Sequence, residues 1–275
     1  MFTKLTNKTK KIIKIAIAII LVIAICSAIP THIEKYYCSQ MLEAIEENDM
    51  KKLQSALEKG NPNSVLGIPW LEFFMIEFSR KTPLQYACLN GNYDMVKLLI
   101  DSGADVDYSP LNTISSPLCY VLKSDSPDKL KLVRLLLKNG DYANAYSGHK
   151  SPVGILLMTT PFPPNGMEIL RELVAAGAEM EESYLEWACS WKHEEAIRYL
   201  IEDCGYDASN PWYLCKYCFK VDGCSYETFE YFLARGANPY AKADNGKCAM
   251  DYLREKSSED AEKLIELAKK YGYEE

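Results

Sequence analysis

Histidine is the scarcest of the residues that commonly carry chemistry, with only His32, His149 and His193 in 275 residues. The three lie far apart, and none stands in an H-E-x-x-H run or beside a nucleophile motif. The chain also lacks a G-x-G-x-x-G sequence and a P-loop sequence, the phosphate-binding signals of nucleotide-dependent enzymes. We therefore expect no catalytic residues, no cofactor, no metal centre and no small-molecule substrate.

An excess of basic residues is also absent, since 31 Lys and Arg stand against 38 Asp and Glu. Without the five lysines of residues 1–14, the remainder carries 26 basic and 38 acidic side chains, a net of −12. An acidic surface is repelled by phosphate backbones, so nucleic acid is not expected as a partner. The charge either serves only solubility or suits a basic patch on a protein partner.

Long apolar runs are missing except at the start, where residues 15–29 are apolar apart from Ser27 and end at Pro30. This run is short for a membrane span, which needs about 20 residues, although apolar residues before Lys14 extend it. Candidate membrane residues are Ile12, Ile15, Ile20, Leu21 and Ile29. The preceding basic residues are Lys4, Lys8, Lys10, Lys11 and Lys14.

Three interpretations of residues 1–30 stay open: an uncleaved signal anchor behind a basic cytoplasmic tail, a signal peptide cleaved near Ala28, and lipid attachment at Cys26. Because lysine-rich flanks stay in the cytoplasm, each of them places residues 31–275 on the opposite side. We expect a single-pass membrane protein with an extracytoplasmic domain, or a secreted or periplasmic protein after cleavage.

A repeated sequence motif is the main feature of the rest of the chain. Thr82-Pro83-Leu84-Gln85-Tyr86-Ala87 is followed by Gly103-Ala104-Asp105, and weaker copies begin at Ser116-Pro117-Leu118 and Ser151-Pro152-Val153. The three prolines are 34 and 35 residues apart. A hydroxyl residue before Pro favours a helix start, and Gly favours a helix end. A period of about 33 residues with these signals indicates a helical solenoid.

The pattern resembles the ankyrin repeat family over roughly residues 41–270. The resemblance implies an all-α fold, an ankyrin-repeat solenoid of stacked helix-turn-helix units preceded by one hydrophobic N-terminal helix. Residues 31–40 are then a linker, and residues 41–275 form about six or seven repeats, including degenerate caps. Residues 124–127, 159–166 and 221–224 are inserts that lengthen loops between paired helices.

The register of the repeats predicts core positions. Counting back seven residues from Gly103, Gly140, Gly177 and Gly236 gives Val96, Val133, Leu170 and Phe229, whereas the count from Gly205 slips by one, to Arg198 beside Ile197. Ten cysteines are present, and Cys88, Cys189 and Cys218 share one small, buried position of the repeat. The group Cys204, Cys215, Cys218 and Cys224 has one C-x2-C pair, so zinc binding is an alternative, and disulfides are another if the domain is exported.

Candidate partner-binding residues fall into two sets. The stretch at residues 67–78 is unusually apolar and forms either an exposed aromatic finger or a short helix that covers the first repeats. Its candidate contact residues are Trp70, Phe73, Phe74 and Phe78. Tyr108, Tyr146, His149 and Tyr240 lie near predicted hairpin tips.

The resemblance implies a non-catalytic scaffold that binds a protein partner through its concave face. An extracytoplasmic inhibitor or immunity-type protein that neutralises an enzyme is the alternative. An enzyme that uses Trp187, Trp191 and His193 is a third, weaker interpretation.

Overall fold

The computed structural model describes residue 17 and residues 32–65, 81–107, 116–145, 150–219, 224–256 and 258–274. All the regular elements in these ranges are α-helices, which confirms the all-α prediction. They are α1 (32–46), α2 (Met50–Leu57), α3 (Pro83–Asn90), α4 (Tyr93–Asp101), α5 (Pro117–Lys123), α6 (Lys129–Lys138), α7 (Pro152–Leu157), α8 (Gly166–Ala175), α9 (Ser183–Trp191), α10 (Glu194–Glu202), α11 (Pro211–Cys218), α12 (Tyr226–Ala234), α13 (Ala249–Lys256) and α14 (Glu259–Lys270).

The helices form two rows. Odd-numbered helices from α3 to α13 contact one another in succession and make the first-helix row. Even-numbered helices make the second-helix row, in which α2 to α10 contact in succession and α12 contacts α14. Within the described residues this gives seven helix pairs, α1/α2 to α13/α14. Each pair is too thin to bury its own apolar side, so neighbouring pairs supply the core.

Hydroxyl residues start the helices as the sequence predicts. Thr82 and Gln85 form a reciprocal capping box at α3, in which each side chain accepts from the other residue's backbone N–H. Ser116 and Ser151 accept from the backbone N–H three residues further on, at 3.3 and 3.2 Å. These bonds satisfy N–H groups that have no partner inside the helix.

Glycines end the second helices. Gly103 has a φ of 88°, a left-handed conformation that is strained for residues with a Cβ. The corresponding glycines of the other repeats are Gly140, Gly177, Gly205, Gly236 and Gly272, all with φ between 80° and 95°.

The predicted register is confirmed by burial. Val96, Val133, Leu170 and Phe229 are fully buried, and so are the cysteines assigned to the shared helix-contact position, Cys88, Cys189 and Cys218. In the first unit, Met50 begins α2 and is exposed, whereas Leu53 of the same helix is fully buried.

Asparagine side chains link neighbouring repeats. Asn63 donates to the Gly103 carbonyl oxygen at 3.2 Å and accepts from the Asp105 backbone N–H at 2.8 Å. Asn144 makes the same pair of bonds to the turn of the next repeat, at 3.0 Å to the Gly177 oxygen and 2.6 Å from the Glu179 nitrogen. The repeats are therefore held in register by polar bonds in addition to their apolar core.

One residue of each insert, Ser126, Phe162 and Cys224, lies against a helix–helix turn of an adjacent repeat. Ser126 donates to the Gly91 carbonyl oxygen at 2.6 Å. The Phe162 ring stacks on His193 with centroids 4.4 Å apart, and the Cys224 sulfur lies 3.3 Å from the Lys192 ammonium. Loop length in one repeat thus creates side-chain contacts with its neighbour.

At the start of the chain, α1 already covers residues 32–40, the segment assigned to a linker. Among the described residues, no helix combines the length and apolar character needed to cross a bilayer. The candidate membrane residues Ile12, Ile15, Ile20, Leu21 and Ile29 lie outside the described residues, so the membrane segment stays a prediction.

Candidate functional site

An aromatic cleft opens on the first-helix row between α9, α11 and α13, with a volume of about 290 Å³. Its apolar part holds three tryptophans, a phenylalanine and a tyrosine, while polar groups stand at its edge. The lining residues are Trp187, Ser190, Trp191, Trp212, Cys215, Lys216, Phe219, Asn245 and Tyr252.

Helical spacing brings these aromatic side chains to one side. Trp187 and Trp191 are four residues apart on α9, so they lie on one face of that helix. Trp212, Lys216 and Phe219 are spaced by four and three residues along α11 and the residue after it, so they also share one face. Since α9 and α11 are neighbours in the first-helix row, the two sets meet.

Trp212 is held in a fixed position by its neighbours. Its indole Nε1 donates to Glu186 at 2.9 Å, and Glu186 also forms a 2.8 Å ion pair with Lys216. The Lys216 ammonium lies 4.3 Å from the centre of the Trp212 ring, within the range of a cation–π contact. Trp212 and Lys216 therefore form one wall of the cleft, and Glu186 holds both of them from behind.

The opposite wall is less covered. The Phe219 ring meets the Tyr252 ring edge to face, with centroids 5.5 Å apart, and the Tyr252 hydroxyl accepts from Asn245 at 2.9 Å. Phe219 is nevertheless 57% exposed, and Trp191 is 36% exposed. Two large apolar side chains thus stay accessible at the mouth of an aromatic cleft, an arrangement that favours an interaction site.

A second, polar groove of about 470 Å³ adjoins the cleft and shares Trp212 with it. Three carboxylates border this groove, from Glu182, Glu186 and Asp244, against the ammonium of Lys242. The two depressions together present an apolar surface next to a negatively charged one.

Of the side chains expected to contact a partner, Tyr240 alone lies in the described part of the chain. It is half-buried, with the Arg254 guanidinium 5.7 Å from its ring centre, and it does not line the cleft. Trp70, Phe73, Phe74, Phe78, Tyr108, Tyr146 and His149 lie outside the described residues.

The three residues of the enzyme interpretation are not brought together. Trp187 and Trp191 line the cleft, but His193 is buried beneath Phe162. Burial lowers the pKa of His193, which favours the neutral imidazole.

The cysteines proposed as zinc ligands do not form a metal site in the described ranges, where no three His, Cys, Asp or Glu side chains are suitably grouped. Cys218 and Cys224 are neighbours, whereas Cys215 faces the aromatic cleft and burial raises its pKa to about 11.

Sequence reasoning did not select Trp212, Phe219 and Tyr252. The spacing of Trp212 and Phe219 on one helical face was available as a signal. Tyr252 comes from the last repeat, and only the stacking of α13 on α11 brings it to the cleft.

The rows of paired helices are similar to known ankyrin-repeat proteins. Residues 40–147 match a family model described as "Ankyrin repeats (3 copies)". A solved structure, the human ASB11 ankyrin repeat domain, superposes with a TM-score of 0.63 at 21% identity and covers 82% of this chain and 96% of that domain. The chain has an ankyrin-repeat fold.

The ankyrin-repeat stack extends beyond the residues that the family model matches. The aromatic cleft, formed by α9, α11 and α13, lies entirely beyond residue 147. No curated protein sequence gives a significant match to this chain. What the cleft can bind is therefore inferred from the chemistry of the side chains that line it.

Proposed function

We propose that this protein is a non-catalytic binding module that captures a protein partner on the first-helix face of its ankyrin-repeat stack. Ankyrin repeats indicate a protein-interaction scaffold, and the aromatic cleft with exposed Trp191 and Phe219 carries the assignment of the surface. Aromatic side chains in such positions dominate the binding energy of many interfaces.

The chemistry of the two depressions defines the partner. An apolar or aromatic side chain of the partner fills the cleft between Trp191 and Phe219, and a neighbouring Lys or Arg enters the groove beside Glu182 and Asp244. The net charge of −7 adds attraction for a basic patch. Because Trp212 is already fixed by Glu186 and Lys216, little ordering is needed on binding.

The test is selection from a displayed peptide library on the immobilised full-length protein. We expect the selected peptides to combine an apolar or aromatic residue with a nearby Lys or Arg. Trp191→Ala and Phe219→Ala should each weaken their binding by about tenfold or more, as for interface hot spots. Raising the salt concentration should weaken binding further, because part of the attraction is electrostatic.

Tyr142→Ala is the matched control, because Tyr142 is 55% exposed in another repeat and lies away from the cleft. The proposal is wrong if the selected peptides bind the Trp191 and Phe219 variants as well as the original protein, or if Tyr142→Ala weakens binding equally.

For the cellular location, we propose that residues 1–30 tether the binding module to a membrane and that residues 31–275 lie on the extracytoplasmic side. The support is the lysine cluster of residues 1–14 followed by the apolar run of residues 15–29. Secretion after cleavage near Ala28 is the alternative outcome.

A further inference from the structure

Two cysteines and a lysine meet where Cys224 of the sixth helix pair lies against the turn of the fifth pair. The Lys192 ammonium is 3.3 Å from the Cys224 sulfur. The Cys224 thiol donates to the Tyr217 carbonyl oxygen at 3.1 Å, which places it beside Cys218, the last residue of α11; this bond is lost when Cys224 ionises. Cys218 is fully buried, whereas Cys224 is only partly buried.

The corresponding contact between the second and third pairs contains neither a cysteine nor a lysine. There, Ser126 of an insert lies against Gly91, which has a φ of 69°. In the fifth pair Lys192 takes the place of this glycine and adopts the same left-handed conformation, with a φ of 60°. Residues with a Cβ seldom adopt it, and strained backbone of this kind occurs frequently at functional sites.

We propose that Cys224 and Cys218 form a redox-active dithiol, in which Cys224 attacks an incoming disulfide and Cys218 closes the intramolecular bond. Lys192 acts as the positioning residue that keeps Cys224 in its thiolate form. The substrate class is a small or protein disulfide that reaches Cys224, which is only partly buried.

The electron balance is that of thiol–disulfide exchange. The Cys224 thiolate attacks one sulfur of the incoming disulfide, the S–S bond breaks, and the other half leaves as a thiolate. Cys218 then attacks the Cys224 sulfur of the mixed disulfide, and its proton goes to the second leaving thiolate. The protein loses two electrons in forming its disulfide, and the incoming disulfide is reduced to one thiolate and one thiol, so that the charge first carried by Cys224 leaves with the product.

The charged groups around Cys224 agree with this division of roles. Hydrogen bonding from Cys218 and the positive charge of Lys192 lower the pKa of Cys224 to about 7, against the opposing effects of burial and Glu194. Burial raises the pKa of Cys218 well above its usual value. The other neighbours are Tyr217, whose hydroxyl donates to Glu194 at 2.8 Å, and the buried Cys189.

Alkylation of the full-length protein with iodoacetamide, followed by peptide mass mapping, tests the first role. At pH 7 Cys224 should react at least about tenfold faster than Cys204, a partly buried cysteine whose pKa is raised by burial. Lys192→Met and Lys192→Gly should both slow Cys224 several-fold. Glycine adopts the left-handed backbone without strain, so Lys192→Gly should not destabilise the protein. Slower alkylation of Cys224 in this variant would therefore come from loss of the lysine charge and not from disturbed folding.

Oxidised glutathione is the probe for the second role. The unaltered protein should form a Cys218–Cys224 disulfide, Cys218→Ser should retain a glutathione adduct on Cys224, and Cys224→Ser should do neither. Cys204→Ser and Lys138→Met are controls that should behave like the unaltered protein. The proposal is overturned if Cys224 reacts no faster than Cys204, if it pairs with Cys189 instead, or if Cys218→Ser retains no adduct.

Discussion

At the scale of single residues, Asp141 is the clearest departure from the repeat pattern. Its position after the turn glycine is occupied by alanine in other repeats, at Ala104, Ala178 and Ala237. Its carboxylate is buried and accepts from the backbone N–H of Leu118 at 2.7 Å, so it caps α5 from the far side of the repeat. The adjacent Tyr142 N–H donates to its other oxygen at 2.8 Å.

Burial raises the pKa of Asp141 to about 7, although the hydrogen bonds oppose this effect. A folded-state pKa above the unfolded value means that the native protein binds the proton more tightly. The free energy of unfolding should therefore fall as the pH rises from about 4, near the unfolded pKa, through about 7, the folded pKa, by up to a few kcal/mol. Asp141→Asn should remove this dependence, as measured by urea unfolding across that range.

The comparison is made with Asp105→Asn, because Asp105 is an exposed carboxylate in the turn of the preceding repeat. This variant should retain the slope of the unaltered protein. Parallel pH profiles for the unaltered protein and Asp141→Asn would show that Asp141 does not titrate differently on folding.

At the scale of elements, the turns between paired helices depend on what the neighbouring insert contributes. Gly91 ends α3 with a φ of 69°, and a Cβ placed there would lie 2.3 Å from the Ser126 Cβ. Gly103 has a similar backbone with a φ of 88°, but a Cβ placed there would have no neighbouring atom within 4 Å. Alanine at Gly103 would therefore introduce backbone strain alone, whereas alanine at Gly91 would add steric overlap with Ser126.

We expect Gly103→Ala to lower the free energy of unfolding by about 1 kcal/mol, because alanine resists the left-handed conformation. Gly91→Ala should lower it by about 1–3 kcal/mol more, because the insert must move. Urea unfolding measures both values. Equal losses in the two variants would contradict the overlap with Ser126, and Ser126→Gly should recover part of the loss in Gly91→Ala.

At the scale of the whole molecule, we propose that the first 30 residues determine where the stack of helix pairs is displayed. If residues 15–29 act as an apolar anchor, the full-length protein should sediment with membranes and resist carbonate extraction. The double substitution Ile20→Lys and Leu21→Lys should release it, since charges in the anchor disfavour insertion. Fractionation and mass spectrometry of the N-terminus measure this.

Ile33→Lys is the matched control, because Ile33 is an exposed apolar residue in α1, outside the apolar run. This variant should sediment like the unaltered protein. Detection of a mature N-terminus just after Ala28 would favour secretion, while an intact protein found only in the soluble cytosolic fraction would contradict both locations.

The features of the fold that could be predicted from the sequence are those that recur in each repeat. Thr82, Ser116 and Ser151 are capping residues by local chemistry, and Gly103 ends a helix for a local conformational reason. Burial of Val96 and Phe229 followed from their common distance to a turn glycine. These inferences needed only short-range rules applied at a fixed period.

The candidate site could not be predicted in the same way. Tyr252 and Trp187 are distant in sequence, and they line one cleft because α9, α11 and α13 stack in succession. The contact between Lys192 and Cys224 likewise joins residues of two different repeats. Such contacts depend on three-dimensional packing, and the period of the repeat does not tell which side chains of different repeats lie close together.

The sequence by itself determined the helical repeats, their caps, their turn glycines and their core positions, because each depends on interactions within a few residues or at a constant period. Only the tertiary structure decided which side chains from different repeats share a surface. It placed Trp191 beside Phe219 and Lys192 beside Cys224, because stacking and insert packing bring together residues that no local rule connects.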